Sequence, residues 1–99
     1  MKRRNVVLQP EARADLLWIY ETIASAAGDA TAMRYIERIE AHCLGLDRAS
    51  ERGTRRDDLR PGLRVIGFER RVTVTFAVEP EQVVIFRVFY GGANWEESF

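Results

Sequence analysis

The chain has 99 residues, 46% hydrophobic and 30% charged, and its 15 acidic and 15 basic residues cancel. That balance suits a folded domain with one core and excludes a disordered chain. Cys43 is the only cysteine, so no internal disulfide or cysteine-based zinc cluster can form.

We expect a single domain over residues 1–99, in a reducing cytoplasm. The opening MKRRNVVLQP lacks the apolar run of a signal peptide, and no later segment is long enough to cross a membrane. The charge is unevenly spread. From Arg48 to Arg71 there are eight arginines and four acids, while the acids of the first half run from Glu11 to Asp47. Every basic residue except Lys2 is arginine, a planar fork of donors suited to carboxylates and phosphates. A basic strip on a neutral domain points to an acidic partner surface rather than to general nucleic-acid binding. A genome rich in arginine codons better accounts for the bare count, though not for the clustering.

Residues 5–8 read as a short strand, after which Pro10 suits a first helical position. Ala12, Leu16, Ile19, Tyr20, Ile23 and Ala27 recur at helical spacing, with Glu11 and Asp15 at the positive end of the helix dipole. Gly28 should end this helix and Asp29 cap the next. The second helix carries Ala32, Ile36, Ile39, Cys43 and Leu46, and should fray over residues 45–50. So short a junction makes an antiparallel hairpin. Residues 63–68 form the next strand. In residues 71–78, Val72, Val74, Phe76 and Val78 alternate with Arg71, Thr73, Thr75 and Ala77, which is a half-buried strand. Glu79-Pro80-Glu81 is a turn. Residues 82–90 are apolar on both faces and should lie centrally in the sheet. Gly91-Gly92 stops that strand, and the tail ANWEESF forms one helical turn at most.

The predicted fold is α+β, in the order β-αα-βββ, with a mainly antiparallel sheet packed on the helical hairpin. The other sheet face, bearing threonines and arginines, should stay open to water or to a partner.

No glycine-rich phosphate loop and no metal-ligand cluster is present, so no cofactor or metal is expected. His42 and Cys43 are helix neighbours about 100° apart and cannot converge as a dyad. His42 should sit at the surface or an edge, and Cys43 should fill the core. Arg87 interrupts an apolar strand on the face of Val83, Ile85 and Phe89. A charge there must be paired or reach water. One reading is an ion pair with Asp57 or Asp58; the other is a phosphate or carboxylate contact on the open face. Trp18 lies on the polar side of the first helix, where it is either a flank residue or an interface anchor. In TRRDDLRPGLRV, Asp57 and Asp58 can neutralise neighbouring arginines around the Pro61-Gly62 turn, leaving Arg60 and Arg64 on an electropositive rim.

The run DLRPGLRVIGFERRVTVTFAVEPEQVVIFRVFYGG resembles the ParE branch of the ParE/RelE toxin superfamily. LQPEARADLLWIYETIA, followed by a G-x-x-x-A-x-x-Y-like helix start, is similar to the family as well. The helix motif, the R-P-G-x-R turn and the R-V-F-Y-G-G strand end together cover nearly the whole chain. The resemblance implies a bacterial type II toxin of the kind that stabilises plasmids. Its partner would be a small ParD-like antitoxin whose tail wraps the toxin in a hetero-oligomeric complex. That antitoxin carries a ribbon-helix-helix dimer, so DNA is met only indirectly through it.

ParE-branch toxins poison DNA gyrase, whereas RelE relatives are ribosome-dependent endoribonucleases that cut messenger RNA. A third reading is a non-toxic relative that still binds antitoxin. In the nucleolytic relatives, basic sheet residues act with a further arginine and a tyrosine or histidine near the C-terminus. Here the arginine position is Gly91-Gly92, and residues 93–99 contain no Lys, Arg, His or Tyr. Tyr90 is the remaining acid at the strand end, so no catalytic residue is assigned. Trp18 and Tyr35 are the expected antitoxin anchors. Arg60, Arg64, Arg71, Arg87 and Tyr90 are the expected target-binding or sheet-rim residues.

Overall fold

The computed structural model describes residues 3–48 and 51–99. Strand β1 (Asn5–Leu8) leads into helices α1 (Pro10–Ala27) and α2 (Asp29–Leu44), and a 3₁₀ turn follows at Gly45–Asp47. Strands β2 (Thr54–Arg55), β3 (Arg64–Phe68), β4 (Val72–Val78) and β5 (Gln82–Tyr90) come next, and a second 3₁₀ turn, Trp95–Ser98, closes the chain. Of the expected fraying segment, residues 49 and 50 lie outside the described residues.

The helices start and stop where backbone chemistry requires. Pro10 occupies the first turn of α1, where its missing N–H costs nothing. Gly28, at φ 93°, is both the last cap of α1 and the first of α2, and its N–H donates to the Ala24 carbonyl. Asp29 therefore does not cap α2. It is the first helical residue, because a one-residue junction leaves no separate capping position, and its carboxylate instead accepts from the Tyr20 hydroxyl.

The sheet order is β1-β5-β4-β3-β2. β1 runs parallel to β5, and the other pairings are antiparallel. The apolar strand β5 is interior, flanked on both sides, while β4 holds the middle position. β2 is too short to leave a periodic signal in sequence. The hairpin packs on one sheet face, with Ile19, Ile39, Cys43, Val74, Phe76, Val83 and Ile85 in the core.

Strict alternation fails in β5. Thr75 pairs with Arg87, yet Phe76 pairs with Ile85, so Phe86 is an extra residue in a β-bulge. The bulge reverses the parity of the strand. Val83 and Ile85 face the helices before it, and Val88 and Tyr90 after it. Arg87 and Phe89 thereby share the face of Thr75 and Thr73 and part from Val83 and Ile85. The buried Thr75 hydroxyl supports the bulge by accepting the Arg87 N–H at 3.1 Å and donating to its carbonyl at 3.3 Å.

Candidate functional site

The arginine-rich stretch folds back on itself. Asp57 accepts from Arg55 and, at 2.8 Å, from the N–H of Gly62, whose φ of 81° permits the turn. Arg56 forms a two-pronged pair with Asp58 and a second contact, 2.8 Å, with Glu96 of the tail. Its guanidinium also lies over Trp95. Arg60 stacks on Phe86, 4.2 Å from the ring centroid, and Phe86 meets Phe99 edge-on. Arg64 donates to the Glu51 carbonyl. Loop and tail thus lie over the sheet face opposite the helices, where Leu63, Thr75 and Val84 are buried. That face is not fully open as the sequence predicts. The arginines hold its cover in place.

Arg87 pairs with neither Asp57 nor Asp58. Those carboxylates are taken by their i−2 arginines, and Arg64 and Arg71 do not reach them as ion pairs either. Arg87 instead meets Asp15 of α1, with Nε and Nη2 at 2.7 and 2.9 Å, and Asp15 also accepts the Val88 N–H at 2.9 Å. Consecutive residues, Arg87 and Val88, thus meet one carboxylate.

Between the helices runs an apolar groove of about 440 Å³, lined by Leu8, Leu16, Leu17, Tyr20, Met33 and Ile36, with Arg13 and Glu40 at its margins. Leu17 is 61% exposed and Met33 48%. The expected anchors lie elsewhere. Trp18 is 57% exposed, about 160° around α1 from Tyr20. Tyr35 lies on the flank of α2 away from the groove.

Tyr35 lines a second cavity, about 350 Å³, with Ile23, Thr31, Arg34, Arg38, Arg71 and Tyr90. The tyrosine rings meet edge-on at 5.9 Å. Arg38 lies over the Tyr35 ring and forms a two-pronged pair with Glu69, both distances 3.0 Å. Burial foremost, and then the neighbouring Tyr90 and Glu69, pushes the Tyr35 hydroxyl pKa up. So two expected rim residues, Arg71 and Tyr90, share a cavity with an expected anchor, whereas Arg60 and Arg87 line another with Phe86 and Phe99.

The groups that move protons near neutrality are withdrawn. His42 is half-buried against Phe68, at 4.8 Å, beside the end of β3. Burial lowers its pKa. Cys43 is buried, and its thiol is pushed up to about 12. Among the described residues no cluster of His, Cys, Asp or Glu could hold a metal.

A family model described as "ParE toxin of type II toxin-antitoxin system, parDE" matches residues 6–95. The chain belongs to the ParE toxin family. This ParE-family fold is similar to a structure of the chromosomal ParDE toxin–antitoxin system from P. aeruginosa, with a TM-score of 0.78 and 23% identity over 90% of this chain and 97% of that one. It is similar also to the RelBE2 toxin–antitoxin complex from Mycobacterium tuberculosis, with a TM-score of 0.65 and 17% identity over 89% and 98% of the two chains. None of the curated proteins compared matches the sequence. The two-helix, mixed-sheet α+β fold is the shared feature, and no helix among the described residues is long and apolar enough to cross a membrane.

Within this ParE-family chain, sequence reasoning missed Asp15, Thr75, Leu17 and Met33. The last two had a usable signal: both are large apolar residues that fall off the core stripes of their helices. Asp15 and Thr75 had none, since their importance follows from the bulge.

Proposed function

We propose that this chain is the toxin of a type II pair, inhibiting DNA gyrase and held inactive by a ParD-like antitoxin in a hetero-oligomeric complex in the bacterial cytoplasm. The observation that carries the gyrase reading is the withdrawal of proton-transfer groups. His42 packs against Phe68, and Cys43 is sealed in the core. General acid–base cleavage of RNA needs an acid and a base within about 3 Å of the atoms they serve. Poisoning a protein–DNA complex needs surface complementarity alone.

The exposed Leu17 and Met33 in the hairpin groove support the antitoxin reading. An amphipathic helix laid there buries both, with the acidic side chains of its polar face near Arg13. Trp18 and Tyr35 then act as flanking anchors, on separate flanks of the hairpin. Alanine at Leu17 and Met33 together should weaken antitoxin binding more than alanine at Trp18 and Tyr35 together. If neither pair changes the affinity, the antitoxin sits elsewhere.

One observation favours the ribonuclease reading: Tyr90 and Arg71 line one cavity. Purified toxin is expected to block gyrase supercoiling or trap cleaved DNA, Tyr90→Phe to retain part of that effect, and programmed ribosomes to carry uncut messenger. Cleavage that disappears in Tyr90→Phe, with gyrase untouched, would overturn the assignment in favour of the nuclease.

A further inference from the structure

The cavity between the far flank of α2 and the ends of β4 and β5 has an unusual donor balance. Arg34, Arg38 and Arg71 line it with the hydroxyls of Thr31, Tyr35 and Tyr90. No carboxylate lines it, and Glu69, which pairs with the lining Arg38, is bound by it through both oxygens. Arg34 and Arg71 are exposed and have no carboxylate within ion-pair distance among the described residues. Three guanidinium charges less one carboxylate leave a local charge of +2.

The Tyr35 hydroxyl adds an independent sign. It is covered from solvent and has no hydrogen-bond partner. A buried polar group without a partner is costly, and in a native structure it calls for a missing acceptor. Because its pKa is raised, this tyrosine stays protonated and can only donate to an anion.

We infer that this cavity binds the phosphoryl group of a phosphate monoester, held by Arg34 and Arg71 with the Tyr35 hydroxyl as a third donor. A carboxylate would be saturated by one guanidinium fork, whereas a phosphoryl group offers three acceptor oxygens to donors converging from α2 and from the start of β4. Its dianionic charge also matches the surplus of two. Because the Tyr35 hydroxyl is covered, its contact with the ligand requires neighbouring side chains to shift. All the donors come from one chain, so phosphate binding is testable on the toxin alone, without gyrase or antitoxin.

The test is titration of the isotope-labelled full chain, followed by amide and arginine side-chain NMR signals. Inorganic phosphate, adenosine 5′-monophosphate, adenosine and acetate serve as separate probes. Both phosphate probes should shift Arg34, Tyr35, Arg71 and Tyr90, and adenosine and acetate should not. Arg34→Gln combined with Arg71→Gln should weaken phosphate binding at least tenfold, while Arg13→Gln, in the other groove, leaves it unchanged. Tighter binding of the nucleotide than of inorganic phosphate points to a nucleotide source, and equal binding to the phosphoryl group alone. Affinity should rise as the monoester passes to the dianion, around pH 6. Acetate binding as well as phosphate, shifts elsewhere on the surface, or an affinity indifferent to the double substitution overturns the inference.

Discussion

Two sets of ion pairs in this molecule look alike in a contact diagram and differ in kind. In the turn at residues 55–58, Arg55 meets Asp57 and Arg56 meets Asp58, each two residues apart and with carboxylates about half exposed. At the bulge, Arg87 meets Asp15 across 72 positions of sequence, and only 16% of the Asp15 side chain is exposed. The local pairs shape a loop that the chain would bring together anyway. The distant pair ties α1 to β5, and its carboxylate also satisfies the Val88 backbone N–H, beyond the end of the β1–β5 ladder. Charge density along the sequence is therefore a poor guide to where charge holds the fold. The richest cluster is solvated, and a lone acid on a helix anchors the strand.

The largest expected effect is at that anchor. Asp15→Asn keeps the shape but leaves the Arg87 charge a third exposed and unpaired. Breaking a fully buried pair costs about 3–5 kcal/mol and an exposed one less than about 1. An intermediate loss of about 2 kcal/mol is expected in chemical denaturation, and a midpoint equal to the parent's would show that the pair is decorative.

Next comes Thr75→Val, which preserves volume but removes both side-chain hydrogen bonds to the bulge. A buried N–H left unsatisfied costs about 1–3 kcal/mol. The double variant with Asp15→Asn should show coupling, because the two side chains hold adjacent backbone groups at Arg87 and Val88.

Acid separates the regions further. Burial depresses the His42 pKa, so its contribution is complete above the unfolded value of about 6.5 and falls away as pH drops through the lower folded value. Asp57, chiefly through the Gly62 N–H, and Asp58 and Glu69, through their arginines, are also held below their ordinary values. Their contributions are present above about pH 4 and lost as pH falls through the folded values. Stability measured against pH should decline in two stages. His42→Leu should remove the first, and high salt should blunt the second.

The smallest effect is expected for Asp58→Asn. It releases Arg56 from one of two carboxylates and leaves Glu96 in place. Its denaturation midpoint should move less than that of Asp15→Asn and scarcely at all at high salt. A shift as large as the anchor's would erase the distinction between the two regions.

Much of the fold was legible because it rests on local rules. Helical spacing marked α1 and α2, Pro10 and Gly28 marked their junctions, and period-two alternation marked β4. The hairpin and the α+β class follow from those elements, since each has one apolar face to bury. The tertiary structure alone decided the parallel pairing of β1 with β5, the two-residue strand β2 and the bulge at Phe86. None of these has a local signature, because each depends on which backbone groups meet across dozens of residues. A one-residue insertion reverses the facing of every later side chain in the strand. Arg87 met Asp15, and not Asp57 or Asp58. Sequence alone determined which residues were chemically able to pair or bind. Their distances in the folded chain determined which ones did.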